Sequence, residues 1–250
     1  MKKYIIGFII GAVLSAVAVF YFPCSSHVTQ RDMNNETMNA ILWMQTSAEY
    51  RALCYQAYNS ALEHVKFAAE SFKSGDKPIA IILDCDETVI DNTKADAAII
   101  DNGSSASEVF SAWLKDGRPD AMPGAAEFLN AVDALGVNIF YVTNRRENFR
   151  AATMDSMKAL NFPQIDDVHT IFKTDTSNKD SRFSKIEESY NVVVYLGDSA
   201  HDFPMGIYGK NLEERNTITD ANKSLFGKKY MVLPNPLYGS WLDLFKGKTP

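Results

Sequence analysis

The strongest structural signal in this chain is the stretch Pro78-Ile79-Ala80-Ile81-Ile82-Leu83-Asp84-Cys85-Asp86-Glu87-Thr88. Its first half is a continuous apolar run of strand length, and its second half changes abruptly to acidic and polar residues. An apolar run without polar alternation is typical of a strand that is buried on both faces of a parallel sheet. The stretch therefore predicts a central parallel strand whose carboxyl end carries two aspartates.

Shorter apolar runs follow later in the chain. They lie at residues 137–142 and 192–196, with a weaker one at 229–233. Stretches with helical patterning separate them, for example at 124–135 and 147–160. Because strands that alternate with helices form parallel sheets, the pattern predicts an α/β fold with a central parallel sheet flanked by helices.

The rest of the chain predicts a cap, a leading helix and a tether. Residues 91–123 lack a run of strand length but include an amphipathic piece near 108–114, which predicts a small, mainly helical cap over the carboxyl edge of the sheet. Helical spacing predicts a helix at 47–72, and the polar, aperiodic residues 24–39 predict a tether. The main domain then spans residues 40–250.

Residues 1–23 have the parts of an export signal, because Lys2 and Lys3 precede an uncharged apolar run. Three interpretations stay open: cleavage after Ala18, lipidation of Cys24 after cleavage before it, or retention of the run as a membrane anchor. In each case the lysines remain on the cytoplasmic side. We therefore expect a membrane-associated domain in the periplasm or at the cell surface, with an outer-membrane lipoprotein as one form.

Composition limits the possible partners. The chain is 46% hydrophobic and 22% charged, as in ordinary globular proteins, and its net charge of −6 offers no basic surplus for a nucleic acid polymer. The charge of a phosphorylated substrate must therefore be neutralised locally. Three cysteines, Cys24, Cys54 and Cys85, make neither a disulfide framework nor a CxxC zinc motif. The state of Cys54 and Cys85 and the oligomeric state, including a homodimer, stay open.

Asp84 and Asp86 follow the first predicted strand and are separated by one residue. Ligands of open α/β sheets bind beyond the carboxyl ends of the strands. Two carboxylates buried there are costly unless a positive charge neutralises them, and a Mg²⁺ ion held by carboxylates and a substrate phosphate does so. A helix N-cap is the alternative, but it would account for one aspartate only.

Further polar residues follow the later strands. Thr143 and Asn144 come after the second apolar run, where a hydroxyl beside backbone N–H groups makes an anion cradle; a helix cap is the alternative for Thr143. Lys179 or Lys173 can supply a cation that balances the phosphate and the carboxylates.

A second acidic pair, Asp198 and Asp202, follows the third run. Asp198 is placed to complete the metal ligands, and Gly197 permits a close backbone approach. We interpret His201 as a bystander, because it has no second His or Cys with which to bind a transition metal.

These motifs occur in the order found in the haloacid dehalogenase (HAD) superfamily, and the chain resembles its four-aspartate phosphatases. The matching residues are Asp84, Asp86 and Thr88 for the first motif, Thr143 for the second, Lys179 for the third, and Asp198 with Asp202 for the fourth.

Four further segments resemble the class C bacterial acid phosphatases, which include lipoprotein 5′-nucleotidases: residues 43–51, 123–125, 141–145 and 233–241. Members of this family are exported, often as lipoproteins, and hydrolyse nucleoside monophosphates and other phosphomonoesters. The resemblance implies a HAD-like Rossmannoid sheet with a cap, and a magnesium-dependent hydrolase of small phosphomonoesters, with nucleoside 5′-monophosphates as the expected substrates.

The two aspartates of the first motif are expected to have different roles. Asp84 attacks phosphorus and forms an aspartyl-phosphate. Asp86 protonates the leaving oxygen and then activates water, for which it needs a raised pKa, and an acidic pH optimum would follow. Mg²⁺ is expected on Asp84, on the backbone carbonyl of Asp86 and on Asp198.

The other motif residues are expected to bind or orient the phosphate. Thr143 and Lys179 hold its equatorial oxygens, and Asp202 orients Lys179 or a metal-bound water. Aromatic side chains that could stack on a nucleotide base, or else belong to the core, are Phe110, Trp113 and Tyr238.

Two other functions are considered on the same fold. A dehalogenase has no ester oxygen to protonate and therefore no need of Asp86. A non-catalytic surface protein that binds a ligand such as haem, or a storage protein, would not need the nucleophile Asp84, and neither His27 nor His201 lies in a pattern typical of a haem pocket.

Overall fold

The centre of the molecule is a five-stranded parallel sheet in the computed structural model, which describes residues 30–102, 106–116 and 119–242. The strands are β1 (Ile79–Leu83), β2 (Ile90–Asp91), β3 (Asp120–Ala121), β4 (Asn138–Arg146), β5 (Thr170–Lys173), β6 (Asn191–Gly197) and β7 (Tyr230–Val232). The sheet order is β5-β4-β1-β6-β7, all parallel, while β2 and β3 form a separate antiparallel pair. The α/β fold expected from the sequence is confirmed.

Strand β1 lies in the middle of the sheet, and all five of its side chains are buried. Ile79, Ile81 and Leu83 pack into a core on one face of the sheet, while Ala80 and Ile82 pack into a second core on the other face. Successive side chains of a strand point to opposite faces. A strand that is covered on both faces buries every side chain, which explains the uninterrupted apolar run.

Helices cover both faces of the sheet. They are α1 (Gln30–Thr46), α2 (Ala48–Ser71), α3 (Thr93–Asn102), α4 (Ala106–Asp116), α5 (Ala125–Ala134), α6 (Arg150–Ala159), α7 (Asp180–Glu187) and α8 (Leu212–Ala221). Helix α2 is the helix predicted at 47–72, and the Ser47 side chain caps it by accepting a hydrogen bond from Tyr50 N at 3.0 Å. It buries Cys54, Ala61 and Val65 against the core.

Helix α1 begins at Gln30, and the structure therefore differs from the tether predicted for 24–39 over part of its length. The physical reason lies at the other end of the helix, where Ile41 and Met44 are buried in the core. A helix that is anchored by apolar contacts at one end can extend through polar residues. Once the first turn has formed, each added residue gains one backbone hydrogen bond.

The leader of residues 1–23, together with Cys24, lies outside the described residues. Among the helices of the described part, none is long and apolar enough to cross a membrane. Cys54 and Cys85 are buried free thiols, and burial raises the pKa of the Cys54 thiol to about 11.

Helices α3 and α4 lie in the region where the sequence predicts a cap at 91–123. The short pair of β2 and β3 closes the base of this segment, with Ile90 opposite Ala121. Helix α4 contacts α6, whose start follows the carboxyl end of β4. The cap is thus held against the edge of the sheet where the acidic motifs occur.

Candidate active site

The loop after β1 places two aspartates beside each other in the site. Cys85 is completely buried between them, and its backbone oxygen accepts hydrogen bonds from the N–H groups of Val89 and Ile90, both at 2.9 Å. Glu87 adopts a left-handed conformation with φ of 49° in this turn. The tight turn keeps Asp84 and Asp86 at the carboxyl edge of the sheet, as the sequence predicts.

Lys179 provides the cation nearest to Asp84. Its Nζ lies 2.7 Å from Asp84 Oδ1 and donates to Asp202 Oδ1 at 2.6 Å. The side chain is 1% exposed. Burial alone would lower the pKa of Lys179, but the charges of Asp202 and Asp84 outweigh burial and raise it. Lys173, the alternative cation, lies elsewhere on the wall of the same cavity.

Asp84, Asp198 and Asp202 form an acidic cluster in which one carboxylate oxygen of each lies within 4.8 Å of the others. Burial raises the pKa of Asp84 to about 7, against the opposing charge of Lys179. Burial, followed by the charges of Asp202 and Asp84, also holds the pKa of Asp198 well above its usual range. A divalent cation would relieve this repulsion.

The donor set fits a hard cation such as Mg²⁺, which prefers carboxylate oxygens. Apart from its ion pair with Lys179, the buried Asp84 Oδ1 accepts no hydrogen bond from a described residue. Asp198 Oδ2 accepts from Asn235 Nδ2 at 2.7 Å, an interaction that orients a ligand, and Asp198 Oδ1 accepts a longer hydrogen bond from Thr88 Oγ1 at 3.5 Å. Asp202 is already bound to Lys179 and, at 2.9 Å, to the N–H of Ser199. Asp84 and Asp198 are therefore the side chains best suited to hold the metal.

Gly197 is needed for this arrangement. A Cβ at this position would lie 2.1 Å from Asp202 Cβ, closer than any real contact between such atoms. The final residue of β6 must therefore be glycine for Asp202 to reach Lys179. This agrees with the close approach that the sequence predicts at Gly197.

Asp86 belongs to a different cluster from Asp84. Arg145 binds it through Nη2 at 2.6 Å and Nε at 3.0 Å, and Asn92 Nδ2 donates to it at 2.7 Å. Burial would raise the pKa of Asp86, but the charge and hydrogen bonds of Arg145 and the hydrogen bond of Asn92 hold it below its usual value. The raised pKa expected from the sequence is therefore wrong for this state of the site. The Asp86 carboxylate lines the same cavity but is not one of the three carboxylates of the acidic cluster, so its backbone carbonyl stays the expected ligand.

Thr143 lies inside β4, which is longer than the predicted strand at 137–142. Its hydroxyl is fully buried and accepts from Arg145 N at 3.0 Å. The pairing register with β5 shifts between Val142 and Arg146, so the residues of this motif lie at an irregularity of the strand. Such irregularities re-aim side chains at the edge of a sheet.

Asn144 lines the cavity, but protein groups already bind both ends of its amide. Its Nδ2 donates to Ser177 O at 3.1 Å, and its Oδ1 accepts from Arg182 Nη2 at 2.7 Å. These hydrogen bonds tie β4 to the loop that precedes Lys179. Phosphate binding at Asn144 stays a prediction.

A cavity of about 780 Å³ opens above these carboxylates. Phe110 of the cap and Tyr238 of the late loop line it, as do Asp96 and Ile99 of α3. Trp113 does not line it; its Nε1 donates to Asn92 Oδ1 at 3.2 Å. Two of the three aromatic side chains predicted from the sequence therefore face the space above the acidic cluster.

Three functional candidates were missed by the sequence interpretation, namely Arg145, Asn92 and Asn235. Arg145 carries a signal, because it lies two residues after Thr143 and so on the same face of β4. The sequence carries no such signal for Asn92 and Asn235, because each is an ordinary polar residue whose hydrogen-bond partner is known only from the fold.

The fold and the acidic cluster define a hydrolase of the haloacid dehalogenase superfamily. More closely, residues 22–241 match the family described as HAD superfamily, subfamily IIIB (acid phosphatase), and the chain belongs to this family. It is a phosphomonoester hydrolase.

Two solved structures are similar to this chain. One is the class C acid phosphatase from Bacillus anthracis, which is 31% identical, with a TM-score of 0.80, over 85% of this chain and 89% of that chain. The other is class C acid phosphatase from Bacillus anthracis with tungstate bound, at 30% identity and a TM-score of 0.80, over 87% of this chain and 90% of that chain.

Proposed function

We propose that this acid phosphatase is an exported, Mg²⁺-dependent enzyme that hydrolyses phosphomonoesters, nucleoside 5′-monophosphates in particular, through an aspartyl-phosphate on Asp84. The observation that supports it most strongly is the position of Asp84, whose buried Oδ1 lies beside Lys179 and within the acidic cluster. A carboxylate with a single cationic neighbour and room above it is suited to attack an electrophile.

In the first step an Asp84 oxygen forms a bond to phosphorus while the bond from phosphorus to the leaving oxygen breaks. Lys179 and the backbone around Thr143 offset the charge on the phosphoryl oxygens. The Asp86 carboxyl gives its proton to the leaving oxygen, and the alcohol departs. Mg²⁺ on Asp84 and Asp198 would shield the nucleophile from the charge of the phosphate.

In the second step water attacks the aspartyl-phosphate, and the Asp86 carboxylate takes a proton from that water. Asp84 is restored and inorganic phosphate leaves. Arg145 lines the cavity as well as binding Asp86, so an incoming phosphate dianion competes for its guanidinium. Loss of that partner favours the protonated form that the first step of a cycle requires.

The preference for nucleotides rests on Phe110 and Tyr238, which line the cavity. Stacking on an aromatic side chain stabilises a bound base by about 1–3 kcal/mol. One of the two similar structures has tungstate bound, and tungstate, like phosphate, is an oxyanion, which supports phosphate as a ligand of this chain.

Phosphate release from AMP, p-nitrophenyl phosphate and sugar phosphates at pH 5–6, with MgCl₂ or with excess EDTA, tests this proposal. We expect hydrolysis that is lost in EDTA and restored by Mg²⁺, with the highest kcat/KM on AMP. The variant Asp84→Asn should retain the fold and lose turnover. Full turnover by Asp84→Asn would exclude the nucleophile, and full turnover in EDTA would exclude the metal.

Export is the part of the proposal that rests on sequence alone, from Lys2, Lys3 and the apolar run that follows them. Fractionation of cells that express the full chain should recover the activity outside the cytoplasm. Mass analysis of the mature N-terminus then distinguishes cleavage after Ala18, lipidation at Cys24 and an intact anchor. Recovery of an unprocessed chain in the soluble cytoplasm would contradict export.

A further inference from the structure

Two cationic side chains lie together on the wall of the cavity. Arg146 is the last residue of β4 and Lys173 is the last residue of β5, and the two are register partners in the parallel sheet. Register partners on neighbouring strands point to the same face. Both line the cavity into which Asp84 opens.

Neither cation forms an ion pair within the described part of the chain. The polar contact of Lys173 is a hydrogen bond from Nζ to Ser177 Oγ at 3.3 Å. The nearest acid in sequence to Arg146 is Glu147, whose Oε2 accepts from Arg150 Nη2 at 3.1 Å. Like charges on neighbouring strands repel each other, so an anion between them would be stabilising.

The cations that contact Asp84 and Asp86 are already paired with these carboxylates. Lys179 lies between Asp84 and Asp202, and Arg145 binds Asp86. Because the chain carries a net charge of −6, its overall field does not attract anions. Among the lysine and arginine side chains of the described residues that line the cavity, Arg146 and Lys173 are therefore the two without an ion pair.

We propose that Arg146 and Lys173 form a second anion-binding subsite, which selects phosphomonoesters that carry a further anionic group, a phosphate or a carboxylate. Arg146 lies three residues after Thr143 along the strand, a span of about 10 Å along the backbone. The flexible side chains of Arg146 and Lys173 can shorten that span, which suits two anionic groups on one small molecule. A cavity of about 780 Å³ accommodates such a substrate.

This inference rests on the proposed function, since it assumes that the reacting phosphate binds beside Asp84. Two matched substrate pairs test it: 3-phosphoglycerate against glycerol 3-phosphate, and adenosine 3′,5′-bisphosphate against AMP. The first pair differs by a carboxylate and the second by a phosphate. We expect the wild type to favour the doubly anionic member by about tenfold in kcat/KM, mainly through KM.

The double variant Arg146→Gln/Lys173→Gln should reduce this ratio to about one. The ratio within a pair cancels any general loss of activity. A matched control is Lys66→Gln/Lys158→Gln, which removes the same net charge from exposed positions outside the cavity lining. The control should keep the wild-type ratio.

Absence of a preference in the wild type would overturn the subsite, and so would its persistence in Arg146→Gln/Lys173→Gln or an equal loss in the control. A preference in only one substrate pair identifies the anionic group that the subsite binds. If no substrate is turned over, the proposed function fails. Calorimetric binding of 3-phosphoglycerate and glycerol 3-phosphate to the wild type and the double variant then decides on the subsite by itself.

Discussion

Gly197 shows how much of the site depends on a missing side chain. It brings Asp202 close to β6, and Asp202 in turn holds Lys179 beside Asp84. We predict that Gly197→Ala displaces Asp202 and lowers kcat by more than tenfold, because the charge on Asp84 and on the phosphate loses its fixed counter-charge. The added methyl group should also destabilise the fold by about 1–3 kcal/mol. Urea unfolding and AMP hydrolysis measure both effects.

The matched control for this prediction is Gly136→Ala. Gly136 has φ of 70° and open space around it, so an added Cβ costs about 1–2 kcal/mol through backbone conformation alone. It lies before β4, at the end of the sheet opposite to the site. We expect similar destabilisation with full kcat. Equal losses of kcat in the two variants would show that Gly197 acts only through stability.

Tyr238 tests the nucleotide preference at the same scale. It lines the cavity and is 38% exposed, so its ring is accessible to a ligand. We predict that Tyr238→Ala raises KM for AMP by about five- to a hundredfold, the range that base stacking supplies, and changes KM for glycerol 3-phosphate little. Tyr238→Phe keeps the ring and should retain the wild-type KM. Equal effects on both substrates would contradict stacking.

An individual site residue was predictable from the sequence where burying its side chain would cost free energy without serving a function. Asp84 and Asp86 stand at the end of a buried strand, and only a catalytic or metal role explains both. Arg145 was missed because its partner Asp86 lies 59 residues away in the sequence. The same omission made the expected pKa of Asp86 wrong, since burial could be inferred from the chain but the compensating cation could not.

The cap is connected through helix α4 to Asp86, the proposed proton-transfer residue. Trp113 Nε1 donates to Asn92 Oδ1, and Asn92 Nδ2 donates to Asp86 Oδ1. Asn92 is completely buried at the junction of β2 and α3, so its amide has little freedom to choose other partners. We interpret Trp113 as a positioning residue that fixes Asn92, and hence Asp86, when the cap lies over the site.

Trp113→Phe removes this hydrogen bond and keeps an aromatic ring. We predict a loss of kcat of about two- to tenfold on alkyl phosphates, whose leaving oxygen needs a proton, and a smaller loss on p-nitrophenyl phosphate, whose leaving group needs none. A plot of kcat against the pKa of the leaving group is the measurement. The control Phe110→Leu alters the cavity lining and should shift KM without changing the slope of that plot. An unchanged slope in Trp113→Phe would exclude positioning.

Helices and strands were predictable from the sequence to the extent that their hydrophobic residues form a regular pattern. The central strand and helix α2 have clear patterns and occur where they were predicted. Helix α1 starts with polar residues, and its pattern emerges only in the half that contacts the core. Strands β2 and β3 have two residues each, which is too short for any alternation to show. Their pairing depends on the cap that they enclose.

The molecule as a whole carries electrostatic strain at its candidate active site. Asp84, Asp198 and Asp202 are held together with one lysine between two of them, and the charges of Asp202 and Asp84 add to burial in raising the pKa of Asp198. Residues that form a functional site commonly lower the stability of the protein, because their arrangement is suited to function rather than to folding. A cation that binds only the folded state should stabilise the whole protein by mass action.

We predict that MgCl₂ at a hundred times its dissociation constant raises the free energy of unfolding by about 2.7 kcal/mol. That corresponds to a rise in Tm of about 2–4 °C for each kcal/mol in a chain of this size.

Asp198→Asn should abolish the rise and, in EDTA, increase Tm above that of the wild type, because it removes one of three repelling carboxylates while Asn235 keeps a hydrogen-bond partner. The control Asp155→Asn, on α6, should behave as the wild type in both conditions. Differential scanning calorimetry of the three proteins measures these shifts. A wild-type Mg²⁺ shift in Asp198→Asn would place the metal elsewhere, whereas a lower Tm in EDTA would show that Asp198 stabilises the fold rather than straining it.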